Sequence, residues 1–106
     1  MKELSEKDCV QSNHRVEGQE LNDLLAQLGG DWQLVADRRL RKNFAFDDFA
    51  SALAYVNRLG EMAEQQNHHP EITLRWGQVS VEIWTHSANG LTEADFVFAA
   101  KAESLR

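Results

Sequence analysis

Residues 68–86 read His-His-Pro-Glu-Ile-Thr-Leu-Arg-Trp-Gly-Gln-Val-Ser-Val-Glu-Ile-Trp-Thr-His. Pro70 disfavours a helical conformation at His69, so the chain is extended where it enters this stretch. The pattern predicts a strand around residues 71–76, a turn near Gly77-Gln78 and a second strand over 79–86. In the second strand, two-residue alternation puts Val79, Val81, Ile83 and Thr85 on one face. Ser80, Glu82, Trp84 and His86 share the other. Two strands this close in sequence make a hairpin, and a hairpin makes an antiparallel sheet.

Working back from Pro70, Phe49, Ala52, Leu53, Val56, Leu59 or Gly60, and Ala63 recur at helical spacing. Asp47 or Asp48 can cap that helix, and Glu64 falls in its last turn. Trp32 to Phe46 reads as another hairpin, with Trp32–Ala36 as one arm and Asp37-Arg38 as the turn. Leu40, Phe44 and Phe46 share a face of the second arm. Leu21, Leu24, Leu25 and Leu28 mark an earlier helix, closed by Gly29-Gly30. Residues 1–16 are polar and aperiodic, and are expected to be a flexible leader to a single domain over 17–106.

Working forward from His86, Asn89-Gly90 is a turn signal. Thr92 opens a last helix, with Asp95 three residues on as an acidic capping box and Leu91 and Phe96 placed as a hydrophobic staple. Val97, Ala99, Ala100 and Ala102 give this helix a surface of small residues suited to close packing. The order is helix, two strands, helix, two strands, helix (α-β-β-α-β-β-α). The fold class is α+β, a four-stranded antiparallel sheet with three helices on one face.

Composition narrows the function. With 106 residues and 42% hydrophobic content, the chain can build one core. No apolar run approaches the roughly 18–20 residues of a membrane span, and the start, Met1 to Glu6, has no apolar stretch of the signal-peptide type. The single cysteine, Cys9, excludes an internal disulfide and points to a reducing cytoplasm. Lying in a polar leader without an evident partner, it is not read as a nucleophile. A net charge of -6, from 17 acidic and 11 basic residues, argues against a phosphate-backbone binder. The basic cluster Arg38-Arg39-Leu40-Arg41-Lys42 is read as a solvated hairpin.

Three of the four histidines lie in residues 68–86; the fourth, His14, is expected to be solvated in the leader. Imidazole titrates near neutrality, with an unperturbed pKa of about 6.5. Register counting across the hairpin sets Pro70 beside Thr85-His86, so His86 approaches His68 and His69. Adjacent residues on an extended backbone point to opposite sides, which gives His68 and His69 separate tasks. Glu64 reaches the same neighbourhood from the helix end and can orient an imidazole. Three readings compete: acid–base catalysis by more than one imidazole, a three-histidine zinc site, and histidines that merely bond the sheet end. Metal sites favour separated ligands, which adjacent His68-His69 does not supply. Convergence of three imidazoles with a carboxylate favours catalysis over the structural reading.

The pattern Glu64-x3-His68-His69-Pro70-x5-Trp76-x2-Val79-x-Val81-x-Ile83-x-Thr85-His86 resembles the signature of the pterin-4a-carbinolamine dehydratases. The likeness runs on through Gly90-Leu91-Thr92 and Asp95, takes in Trp32 and Phe44-x-Phe46-x-x-Phe49-x-x-Ala52 upstream, and covers about residues 18–103. Trp76-Gly77 and Asp95-Phe96 look like the bacterial members. The resemblance implies a hydro-lyase that removes water from 4a-hydroxytetrahydropterin (4a-hydroxytetrahydrobiopterin) to give quinonoid dihydropterin. That step recycles the cofactor of aromatic amino acid hydroxylases. It carries catalytic roles onto His68, His69, His86 and Glu64, and implies substrate contacts at Asn67, Trp84, Thr85 and Ser87. Asn67 stands where some members have aspartate, and Trp84 departs from the smaller polar residue of animal members. Trp84 is read either as a stacking surface for the pterin or as a packed strand aromatic. No metal or redox cofactor is implied, because the oxidation state does not change. The resemblance also implies a homodimer or homotetramer, formed through a sheet edge or the 92–103 helix, and an aromatic amino acid hydroxylase as a possible partner. The alternative it leaves open is a non-catalytic dimerisation or transcriptional-coactivator role on the same fold.

Overall fold

The computed structural model describes residues 3–106. Its elements are α1 (Gly18–Leu28), β1 (Gln33–Val35), β2 (Arg39–Ala45), α2 (Phe49–Gln66), β3 (Glu71–Arg75), β4 (Gln78–Ile83) and α3 (Glu93–Ser104). Short 3-10 turns occupy Leu4–Glu6 and His86–Ala88. The four strands make one antiparallel sheet in the order β1-β2-β4-β3. The two hairpins are therefore joined by β2 against β4, which pairs Phe44 with Val79 and Leu40 with Ile83.

Apolar alternation fixes the inner face. Leu40, Phe44, Val79, Val81 and Ile83 are all fully buried. α2 and α3 pack against the sheet, and α1 packs against α3. Of the two candidates Asp47 and Asp48, it is Asp48 that caps α2, its Oδ1 accepting the Ser51 N–H at 2.7 Å. Gly29 ends α1 at φ +63°, a conformation that suits glycine.

Several local expectations shift. The second hairpin turns at Trp76-Gly77, because Arg75 pairs with Gln78. Glu71 lies opposite Glu82. Continued outward, that register sets Pro70 level with Ile83 and His68 level with Thr85, two residues from the expected alignment. The first hairpin turns one residue early, with Ala36 and Asp37 both in the left-handed region at φ 53° and 56°. On α2 the buried stripe is Ala52, Tyr55, Leu59, Met62 and Ala63, while Phe49 and Leu53 are exposed. Tyr55 faces inward because its hydroxyl finds a buried acceptor, the Ala102 carbonyl, at 2.8 Å.

α3 lies at the centre. Ala94 through Ala99 and Ala102 are buried, because α3 meets the sheet, α1 and the first 3-10 turn at once. The small residues serve this internal packing, so α3 does not offer the free association surface expected of the 92–103 helix. The exposed apolar residues of the helical layer sit instead on α2, at Phe49 and Leu53.

Residues 3–16 take a defined course over α3. Leu4 and Val16 are buried. Lys101 Nζ donates to the Ser5 carbonyl at 3.0 Å, and the Val16 N–H donates to the Leu91 carbonyl at 2.8 Å.

Candidate active site

α2 delivers the first two histidines. Asn67 ends the helix in the left-handed conformation, φ 51° and ψ 42°, one that asparagine tolerates. The His68 N–H closes the last turn on the Ala63 carbonyl at 3.2 Å. Pro70 then starts the run into β3. Helix, left-handed cap and extended strand together turn His68 inward and leave His69 exposed.

β4 delivers the third. Beyond Ile83 the strand leaves the sheet, and a bridge between Thr85 and Gly90 closes a loop around the His86–Ala88 turn. The Thr85 N–H donates to the Gly90 carbonyl at 2.9 Å, and Asn89 takes the left-handed conformation that Asn89-Gly90 signalled. Without that loop His86 would continue along the sheet's outer face.

His68, His69 and His86 line one cavity of about 440 Å³, with Asn67, Trp84, Thr85 and Ser87 also in its wall. Its size lies within the range of small-molecule pockets, roughly 300–1,000 Å³. Glu64 is not in the wall. It reaches the site by hydrogen bonding through Oε2 to His69 Nε2.

Each imidazole has a different neighbour. His68 Nε2 lies 2.6 Å from Oδ1 of Asp95, a fully buried carboxylate. Asp95 Oδ2 accepts the Thr92 N–H at 2.9 Å and the Thr85 hydroxyl at 2.8 Å. The Thr92 hydroxyl lies 3.0 Å from Thr85 Oγ1. A carboxylate only accepts, so these partners assign the proton of a neutral His68 to Nε2 and leave Nδ1 as the free acceptor. The Glu64 carboxylate assigns His69 in the same way. His86 has no side-chain hydrogen bond among the described residues; its ring lies 4.6 Å from that of Trp84, tilted by 45°. The Arg39 guanidinium sits 4.2 Å from the Trp84 ring centroid and ion-pairs with Glu82 at 2.8 Å. Trp84, one residue past the end of β4, is thus both packed under a cation and a part of the cavity wall.

Two features escaped the sequence reading. Asp95 was legible only as a helix cap; that it also holds an imidazole depends on α3 crossing behind His68. Cys9 was placed in a leader without partners, yet it lines the cavity. Its N–H donates to Gln66 Oε1 at 2.7 Å, and its thiol donates to the Ala94 carbonyl at 3.5 Å. Burial pushes the Cys9 thiol up to about 12, which keeps it protonated and supports the reading that it is no nucleophile.

A small α+β fold with one cavity lined by three imidazoles, two of them backed by carboxylates from α2 and α3, presents groups of the type used in acid–base chemistry. Residues 14–105 match the family described as Pterin 4 alpha carbinolamine dehydratase. A Rubrobacter xylanophilus protein provisionally named pterin-4-alpha-carbinolamine dehydratase is 49% identical, over 99% of this chain and 100% of its own. One of the same provisional name from Rickettsia canadensis is 45% identical over 95% of each. A crystal structure from Brucella melitensis, described as a transcriptional coactivator/pterin dehydratase, superposes with a TM-score of 0.80 at 35% identity, over 87% of this chain and 98% of that one. A pterin dehydratase-like RuBisCO assembly factor of the alpha-carboxysome superposes at 0.63 with 25% identity, over 74% of this chain and 92% of that one. This chain belongs to the pterin 4 alpha carbinolamine dehydratase family.

Proposed function

We propose that the protein is a 4a-hydroxytetrahydrobiopterin dehydratase, a hydro-lyase that eliminates water from the pterin carbinolamine to give quinonoid dihydropterin. The observation that carries this reading is the convergence of His68, His69 and His86 on one cavity. The substrate's C4a carries a hydroxyl and is bonded to N5. The hydroxyl must gain a proton to leave as water, and N5 must lose its proton as its lone pair forms the new C=N bond. One imidazolium and one neutral imidazole supply both transfers at neutral pH, and positioned groups of this kind give about 10²–10⁴-fold each.

His69 and His86 share the acid and base roles. Glu64 fixes the His69 ring. His68, held from behind by Asp95, presents Nδ1 to a ring N–H and polarises the pterin. Asn67, Ser87 and the Trp84 face complete the binding surface; the Thr85 hydroxyl, committed to Asp95, supports it from beneath. A free cysteine and the absence of any described helix able to cross a membrane accord with action in the cytoplasm, in recycling pterin for an aromatic amino acid hydroxylase. Self-association is assigned to a sheet edge, β1 or β3, or to the Phe49 and Leu53 face of α2. A purely structural or coactivator role would not need three imidazoles around a cavity.

The test uses purified protein and freshly generated 4a-hydroxytetrahydrobiopterin, followed by absorbance. The wild type should accelerate its loss, and His69→Ala or His86→Ala should slow that acceleration at least about tenfold. Wild-type rates in both variants would remove them from the mechanism.

A further inference from the structure

The cavity has a wall that the family match does not cover. That match begins at residue 14, yet Cys9, Val10, Gln11 and Ser12 line the cavity together with residues 66–69 and 84–87. The segment is tied at both ends. At one end the Cys9 N–H bonds to Gln66 Oε1 at 2.7 Å, and Gln66 Nε2 in turn donates to Asp8 Oδ1 at 3.4 Å. At the other end Val16 is buried and its N–H bonds to the Leu91 carbonyl at 2.8 Å. Beyond residue 13, His14 Nε2 lies 3.0 Å from Glu20 Oε1 of α1 and Arg15 ion-pairs with Glu17, but among the described residues 10–13 the one hydrogen bond is internal, from the His14 N–H to Ser12 Oγ at 2.9 Å. Residues 10–12 therefore edge the cavity as a strap anchored on both sides and uncommitted in the middle.

We infer that this strap is part of the substrate site and binds the pterin directly. The inference rests on the dehydratase reading above. Val10, 70% exposed, offers an apolar surface at the rim for a flat ring to cover. Gln11 brings an amide donor and acceptor, matching the donor–acceptor edges and hydroxylated side chain of a pterin. The histidines carry the proton transfers and lie elsewhere in the wall, so the strap contributes to binding rather than to the chemical step. Gln66 links the two: it belongs to the helix that ends at the histidines, and its amide holds Cys9 and hence the strap in place.

The test replaces Val10, Gln11 and Ser12 by glycine together, leaving Leu4, Cys9 and Val16 to anchor the segment. These three residues are exposed, so the melting temperature should stay close to that of the wild type. KM for 4a-hydroxytetrahydrobiopterin should rise about fivefold or more while kcat stays within about twofold, as loss of one or two ligand contacts predicts. The dissociation constant for 7,8-dihydrobiopterin, which cannot react, should rise by the same factor. An active wild type with unchanged KM and dissociation constant in the variant overturns the strap's role and leaves the dehydratase reading standing. A fall in kcat at constant KM overturns it also, since the strap would then be positioning the catalytic groups. A wild type that neither binds nor dehydrates the pterin overturns the function itself, and the strap's ligand with it.

Discussion

Asp95 carries two duties on one carboxylate. Oδ2 caps α3 through the Thr92 N–H, and Oδ1 faces His68 Nε2. Asp95→Asn cannot serve both, because one side of an amide is a donor. If the amide keeps the cap, its NH₂ faces His68 and forces the proton onto Nδ1, which removes the acceptor offered to the pterin. Stability should fall by about 1 kcal/mol, the order of one compromised buried hydrogen bond. Turnover should fall at least about tenfold in the same assay, and Ala in place of His68 should bring little further loss. A fully active Asp95→Asn protein would show that the His68 tautomer is immaterial. Glu64→Gln offers the contrast. Its pair with His69 is largely exposed, so chemical denaturation should shift by less than about 0.5 kcal/mol and any loss of rate would belong to the orientation of His69.

At the scale of elements, the tight turn between β1 and β2 stores strain. Ala36 sits at φ 53°, a region that costs a residue with a Cβ roughly 1–2 kcal/mol. Ala36→Gly should relieve part of that and raise the urea midpoint, offset in part by the greater freedom of glycine in the unfolded chain. A lowered midpoint would mean that the turn is not strained at Ala36. The same scale explains why Phe49 and Leu53 face solvent. α2 has two apolar stripes, and the sheet covers the one that Tyr55 and Leu59 occupy. Periodicity identified the helix; only packing chose between its faces.

At the scale of the whole molecule, the leader ties pH to stability. The Cys9 thiol rises from 9.0 to about 12 because the strap, α2 and α3 bury it. The folded state therefore resists thiolate formation and the unfolded chain does not. The sign follows: folding is undiminished below about pH 9, and stability is lost as pH climbs from there toward 12. Tyr55, buried and likewise pushed upward, adds to the loss in the same direction. Denaturant melts between pH 8 and 11 should show the decline, and Cys9→Ala should flatten it without abolishing it. An identical slope in that variant would place the thiol in water, with the leader away from the cavity.

Element types, both hairpins, the Asp48 cap and the cluster of three histidines were legible in the sequence, because each rests on residues no more than about twenty apart. Alternation marks a strand, a left-handed Asn or Gly ends a helix, and a proline turns the chain wherever they stand. The pairing of β2 with β4, the central place of α3, the Asp95 carboxylate behind His68 and the leader across the cavity join residues as much as 96 positions apart, as Lys101 and Ser5 are. Contacts of that range are chosen by how the apolar faces of all the elements fit together at once, and that choice is made only when the chain is folded.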